Sequence, residues 1–194
     1  HETSTCCRNS GRFLALALLL GAGLLLLAAP CGRGAVYSWS GGGATANWSD
    51  SANWGFAGTP VNGDTVIFPA SQPKLTNTNN ILSLSLSQIR FVGAGGGYAI
   101  WGNSFTIGSG GIEATNTAGA NTINNAITLG ASPVPVNVGS GATLTLAGAL
   151  GGTGGLTKNG TGTLTYSGGT ANTYSGATLV NVGTLLLTKT IANG

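Results

Sequence analysis

Residues 154–188 read GGLTKNGTGTLTYSGGTANTYSGATLVNVGTLLLT, and this stretch repeats itself. The phrase GTLT at 162–165 returns as GTLL at 183–186, and GLT at 155–157 returns as GAT at 176–178, both 21 positions later. A period of about 20 residues is too short for repeats built from two helices. It suits one coil of a parallel β-solenoid, in which each coil stacks on the coil before it.

Alternation within the repeat predicts which side chains are buried. Successive side chains of a strand point to opposite faces, so Thr163, Leu164 and Thr165 alternate between solvent and core. Stacked coils would bury a column of Leu144, Leu164 and Leu185, each worth roughly 1.5–3 kcal/mol when fully buried. The fold class that follows is all-β, with short strands between turns rich in glycine and asparagine.

The repeat resembles a known family. The sequences at 154–165, 172–176 (NTYSG) and 180–185 (VNVGTL) are similar to the autotransporter-associated β-strand repeat, also called the passenger-associated transport repeat. The resemblance is close over 154–187, and looser copies reach back to Phe105. It implies a right-handed parallel β-helix in a secreted or surface-displayed bacterial passenger, with an outer-membrane β-barrel encoded downstream as its partner. The family's motif is structural and implies no catalytic residue.

The start of the chain is typical of an export segment. Arg8 and Arg12 precede an apolar run from Phe13 to Ala29, and small residues follow. This pattern predicts a helical signal peptide at 1–35. An uncleaved membrane anchor is the alternative, because a run of about 17 residues is close to the length that spans a bilayer. We expect contact with a membrane only through this segment.

Two further segments follow the export segment. Residues 36–104 are predicted to form a tryptophan-rich N-terminal cap and the first coils. Residues 105–194 are predicted to form β-helix repeats that are truncated at the C-terminus or continue beyond it. The whole is expected to contain on the order of seven coils of about 21 residues.

Two stretches allow more specific predictions of strand position and burial. Leu82, Leu84 and Leu86 alternate with serine, which predicts a strand within 81–89 that buries all three leucines. The strand at 133–138 also alternates, but its prolines remove ladder donors, so we expect it to be irregular or to lie at a coil edge.

Tryptophan is concentrated near the amino end. Trp39, Trp48 and Trp54 lie within 36–70, and Trp101 follows later. The end of a solenoid exposes unpaired backbone and apolar core, so these side chains are expected to cover the first coil. The alternative is a sugar-stacking platform, because flat indole faces suit pyranose rings.

Composition excludes several function classes. Charged residues make up only 6% of the chain, and the body from Val36 onward is nearly neutral, without the basic stripe that nucleic acid requires. His1 is the single histidine, and the cysteines are Cys6, Cys7 and Cys31, so the body offers no histidine or cysteine catalytic centre and no zinc ligands.

The remaining ionisable residues are expected to be structural. Asp50 and Asp64 suit turns, Arg90 suits the solvent face of a strand, and Glu113 is far in sequence from either aspartate. We therefore predict no catalytic, cofactor-binding or metal-binding residue, and no enzyme activity.

The function expected from these features is that of an exported, non-enzymatic β-helical passenger segment. It would act as a stalk or adhesin-like module, secreted or held at the bacterial outer-membrane surface after export through the periplasm. The alternative is a carbohydrate-binding surface module that uses the tryptophans to bind surface glycans. A third reading is an ice-binding face formed by outward threonines such as Thr143 and Thr163, although Leu186 interrupts that face.

Overall fold

The computed structural model of the chain describes residues 34–130 and 132–190. Regular structure in these ranges is β-strand, apart from one short 3-10 helix at Ser51–Trp54. The predicted signal peptide lies outside the described residues, except for its last two positions. Within the two described ranges, no helix has the length and apolar character that a membrane crossing requires.

Fifteen strands follow one another through the described ranges. They are β1 (Val36–Ser38), β2 (Thr65–Pro69), β3 (Thr76–Asn79), β4 (Leu84–Val92), β5 (Ala99–Gly102), β6 (Phe105–Ala114), β7 (Ala120–Ile123), β8 (Ile127–Leu129), β9 (Val134–Val138), β10 (Thr143–Leu146), β11 (Leu150–Gly152), β12 (Leu156–Asn159), β13 (Thr163–Tyr166), β14 (Thr178–Val180) and β15 (Thr184–Leu187).

The strands form two sheets in which the pairings between strands are parallel. A nine-stranded sheet runs in the order β1-β2-β4-β6-β9-β12-β14, with β8 on β6 and β11 on β8. A six-stranded sheet runs in the order β3-β5-β7-β10-β13-β15. The chain passes repeatedly from one sheet to the other and returns to the next position along each sheet, so the fold is a β-solenoid of about five turns.

The predicted leucine column is confirmed. Leu144 pairs with Leu164, and Leu164 pairs with Leu185, in parallel register. Leu144 and Leu164 have no exposed surface, whereas Leu185 on the last described coil is half-buried. Phe105 and Ile127 are also register partners in a parallel pair.

The coil is longer than predicted in some places. Leu156 pairs with Thr178, which is 22 positions later, so the 21-residue alignment at 155–157 is wrong by one residue. Ile112 pairs with Val136 at a spacing of 24, because the turns of the early coils carry extra residues. The described ranges form about five turns rather than the expected seven.

The strand expected within 81–89 begins later than predicted. Leu84 and Leu86 are buried in β4, but Leu82 is 79% exposed. Ser83 adopts a positive φ of 53°, which turns the chain just before the strand and directs Leu82 outward. The prediction that all three leucines share the buried face is therefore wrong for Leu82.

Of the two outcomes expected for the proline-containing strand β9, a position at a coil edge is not observed. Strand β9 lies between β6 and β12, and its three valines are buried. Pairing with β6 begins at Val136, one residue after Pro135. Gly111 in β6 lies next to Pro135 and has a φ of 69°. A Cβ at position 111 would lie only 2.0 Å from the carbonyl oxygen of Pro135. A local irregularity in β6 thus accommodates the proline inside the sheet.

Candidate functional site

The tryptophan cluster, defined as Trp39, Trp48 and Trp54, is buried in the core. The three side chains are 1%, 0% and 3% exposed. Each indole N–H donates a hydrogen bond within the protein: Trp39 to the Lys74 carbonyl at 2.9 Å, Trp48 to Asn77 Oδ1 at 2.8 Å, and Trp54 to the Trp48 carbonyl at 2.8 Å. No indole face of this cluster is free to stack on a sugar ring.

Aromatic packing extends from the cluster into the first coils. The ring of Trp39 meets the ring of Trp54 edge-on, with centroids 5.0 Å apart. Phe68 lies within 6.1 Å of all three indoles and stacks on Phe91 at 5.4 Å. Such pairs contribute about 0.5–1.5 kcal/mol beyond the area that they bury. The cluster is therefore part of the solenoid core.

The segment that carries the cluster also occupies a strand edge. Asn47 forms a parallel bridge with Thr78 of β3, and the Trp48 amide donates to the Thr78 carbonyl at 2.9 Å. Because β3 is the first strand of its sheet, this contact pairs an edge that would otherwise face solvent.

Trp101 differs from the cluster. It is 51% exposed and lies in β5, where it pairs with Thr78. No lysine, arginine, aspartate or glutamate lies in the strands of the six-stranded sheet. Of the four tryptophans proposed for sugar stacking, Trp101 is thus the one whose indole reaches solvent.

The two aspartates serve local turns, as predicted. Asp50 accepts a hydrogen bond from the Ala52 amide at the start of the 3-10 helix, and amide and hydroxyl donors of Thr45 lower the pKa of its carboxyl. Asp64 is 3% exposed and accepts from the Ala35 and Val61 amides at 2.7 and 2.8 Å, immediately before β2.

Arg90 is half-exposed and ion-paired. Its Nε donates to Glu113 Oε2 at 2.8 Å, and its second guanidinium N–H donates to Oε1 at 3.3 Å. The two residues are register partners on β4 and β6, which is why residues 23 positions apart in sequence meet. The three carboxylates of the body therefore have separate partners. In the part of the chain that is described, no three residues of the histidine, cysteine, aspartate or glutamate types lie together as metal ligands would.

Sequence reasoning missed a buried lysine. Lys158 has no exposed surface and lies in an inward-facing column between Val136 and Val180. Its Nζ donates to the carbonyls of Asn159, Gly160 and Val182 at 2.9, 2.6 and 3.1 Å. Burial lowers the pKa of this ammonium group. Strand alternation carried the signal, because an inward Leu156 makes Lys158 inward as well.

Buried asparagines were also missed. Asn121 stands in the column of Leu144, where it donates to Asn116 Oδ1 at 2.9 Å and accepts from the Tyr98 amide at 3.2 Å. Other asparagines without appreciable exposure are Asn53, Asn77, Asn79 and Asn125. Most of these side chains hydrogen-bond backbone groups at coil corners, which indicates a structural role.

One open depression of about 360 Å³ lies beside the first strands of the nine-stranded sheet. Its lining residues carry no titratable side chain: they are Gly34, Val36, Gly63, Thr65, Ser87 and Gln88. These residues offer hydroxyl and amide groups for binding but no acid, base or nucleophile with a perturbed pKa.

No family model, no curated protein and no solved structure matches the chain. Function is therefore inferred from the residues and their geometry.

Proposed function

We propose that the chain is an exported, non-enzymatic β-helical passenger segment that serves as a stalk or adhesin-like module at a bacterial surface. In this proposal residues 1–35 direct export, the tryptophan cluster caps the N-terminal end, and the coils wind right-handed. An outer-membrane β-barrel encoded downstream is the partner for transport.

The register of the leucine column carries the proposal. Leu144, Leu164 and Leu185 stack in successive coils, and their strands β10, β13 and β15 follow one another in one parallel ladder. Each new coil adds ladder hydrogen bonds and buries apolar side chains on the coil before it. A chain that folds in this stepwise way can gain stability as it emerges from a membrane, which suits a passenger.

The placement of the ionisable groups supports a structural role. Asp50 and Asp64 hold turns, Arg90 holds Glu113, and the ammonium group of Lys158 bonds to backbone carbonyls. An acid–base site would need at least one such group directed at a substrate and held at a perturbed pKa.

Export can be tested with the full chain joined to an outer-membrane β-barrel in a diderm host. The matched control carries Leu18→Asp and Leu20→Asp, which breaks the apolar run of the export segment. We expect surface labelling and protease access for the parent chain and retention inside the cell for the control. Equal retention of both chains would contradict the proposal.

Carbohydrate binding is a second candidate because Trp101 exposes half of its surface on an uncharged sheet. Aromatic stacking on a neutral glycan would require this indole and no other described tryptophan. Polysaccharides should then change tryptophan fluorescence in the parent chain but not in a Trp101→Ala variant. An unchanged spectrum across a glycan panel would leave the stalk as the supported function.

A further inference from the structure

The outward face of the six-stranded sheet carries two adjacent columns of threonine, with one residue per coil in each column. The columns are two residues apart along the strands, so they lie side by side on one face. We define the threonine array as the six residues of these columns: Thr143, Thr163 and Thr184 in the first, and Thr122, Thr145 and Thr165 in the second. All six alternate with inward residues such as Leu144 and Leu164, and all six keep exposed surface.

The threonine array is regular in two directions. Neighbouring strands of a sheet lie about 4.8 Å apart, and residues two apart along a parallel strand are separated by about 6.6 Å. The pairings that join β7, β10, β13 and β15 run residue to residue without a register shift. Threonine is branched at Cβ, which restricts rotation about χ1, so its methyl and hydroxyl groups stand at nearly fixed positions. The result is a two-dimensional lattice of identical chemical groups.

The outward face of the nine-stranded sheet differs, although the same coils build it. Its pairing of β4 with β6 shifts register between Leu86 and Gln88. Thr157 on β12 is an outward threonine of this sheet, but its register partner on β9 is Pro135. The threonine array is therefore a property of one sheet and does not follow from the repeat period alone.

A surface that is periodic in two directions matches a partner that is also periodic in two directions. A folded protein surface or a single sugar ring lacks that periodicity, whereas the face of a crystal has it. Hexagonal ice presents water oxygens at repeats close to those of the threonine array. Threonine suits this partner because its hydroxyl group both donates to and accepts from water, while its methyl group restricts the orientations of the water around it.

We propose that the threonine array binds ice by holding a layer of ordered water that fits the crystal face. The second column is bounded by Ala99, which pairs with Thr122, and by Leu186, which pairs with Thr165. Each column thus offers three threonines to the crystal. This activity is independent of export and of glycan binding, because it uses neither the export segment nor Trp101.

Microscopy of a single ice crystal held just below its melting point tests the proposal. The purified full chain is added to the solution at increasing concentration. We expect the crystal to develop flat facets and to stop growing within a measurable gap between its melting and freezing temperatures, because bound protein blocks the faces that it covers. A crystal that stays a round disc, as in buffer alone, would overturn the proposal.

Matched substitutions locate the contact. Thr145→Lys places a long charged side chain at the centre of the threonine array and should abolish faceting, whereas Thr157→Lys makes the same change on the other sheet and should leave faceting intact. Thr145→Ser keeps the hydroxyl group, removes only the methyl group and should narrow the temperature gap. Far-UV circular dichroism checks that the variants retain their strands. Faceting that survives Thr145→Lys, or that is lost equally in Thr157→Lys, would refute the array as the contact.

Binding to sugars would give a different result. Trp101→Ala removes the exposed indole on which the glycan candidate depends and should leave ice faceting unchanged. Sedimentation of the parent chain with crystalline cellulose provides a second periodic surface, made of sugar rings. Sedimentation with cellulose without faceting of ice would overturn the ice proposal and support the glycan candidate.

Discussion

Large apolar side chains are buried at one end of the described solenoid and exposed at the other. At the amino end, the tryptophan cluster is at most 3% exposed and every indole N–H has an acceptor. At the other end, Leu187 of the end coil, which is the last described coil at residues 176–190, is 72% exposed, and among the described residues its strand β15 is paired on one edge. Both ends use the same parallel ladders, so the difference lies in coverage. What covers an apolar residue, rather than its type, decides its contribution to stability.

The largest expected effect is the loss of folding stability when a side chain of the tryptophan cluster is removed. Trp48→Ala should destabilise the fold by about 3–5 kcal/mol, because it empties a buried site and leaves Asn77 Oδ1 without its donor. Trp101→Ala removes the same side chain from an exposed position and should change the free energy of unfolding by no more than about 0.5 kcal/mol. Urea unfolding followed by circular dichroism measures both. Similar losses in the two variants would remove the distinction between the buried and exposed tryptophans.

The second-largest expected effect is the difference in lost stability when a leucine is truncated in an interior coil and in the end coil. Leu164→Ala removes a fully buried leucine and should cost about 2–5 kcal/mol. Leu185→Ala acts on the same column one coil later, where the side chain is half-buried, and should cost clearly less in dilute solution. The same unfolding measurement distinguishes them. A larger loss for Leu185 would mean that the end coil, and not the interior, anchors the column.

Much of this comparison could be predicted from the sequence, because strand alternation and the repeat period are local properties. The pairing of Leu144 with Leu164 and Leu185 followed from both. The exposure of Leu82 did not, because it depends on the positive φ of Ser83, which serine adopts without any distinctive sequence signal. A single backbone conformation outside the strand reversed one side chain.

Other features depended on contacts between coils. The position of Lys158 inside the core follows from alternation, but the three carbonyls that bind it come from two different coils. Likewise, Arg90 and Glu113 meet because their strands are in register, which the sequence alone does not reveal. Long-range register, rather than local propensity, therefore limited the prediction of the candidate site.

A smaller effect is expected from the buried ammonium group of Lys158, near the end coil. It is measured through the pH dependence of the free energy of unfolding. Burial lowers the pKa of Lys158 below its ordinary value of 10.5 in the folded chain. Between the folded and unfolded pKa values, the unfolded state binds more protons, so this residue makes stability rise with pH. Burial raises the pKa of Tyr98 and Tyr166, which acts in the opposite direction above pH 10.

The contribution of Lys158 is isolated by subtracting the free energy of unfolding of a Lys158→Met variant from that of the parent chain. The tyrosines are common to both and cancel. We expect this difference to shift in favour of the parent as pH rises from neutral toward 10.5. If this difference stays constant or falls as pH rises, burial does not lower the pKa of the Lys158 ammonium group.

The smallest effect concerns the outward face between the two ends, where the one described carboxylate salt bridge joins Arg90 to Glu113 at 2.8 Å. Its side chains are 36% and 21% exposed, so solvent screens the pair and its coupling should be about 0.2–1 kcal/mol. A double-mutant cycle with Arg90→Gln and Glu113→Gln measures this coupling, and added salt should reduce it. The pair links β4 to β6, but buried side chains such as Ile89 and Ile112 already pack together between these two strands. The salt bridge therefore adds only slightly to the stability of this contact. A coupling well above 1 kcal/mol that salt does not reduce would instead make the charged pair a principal link between these coils.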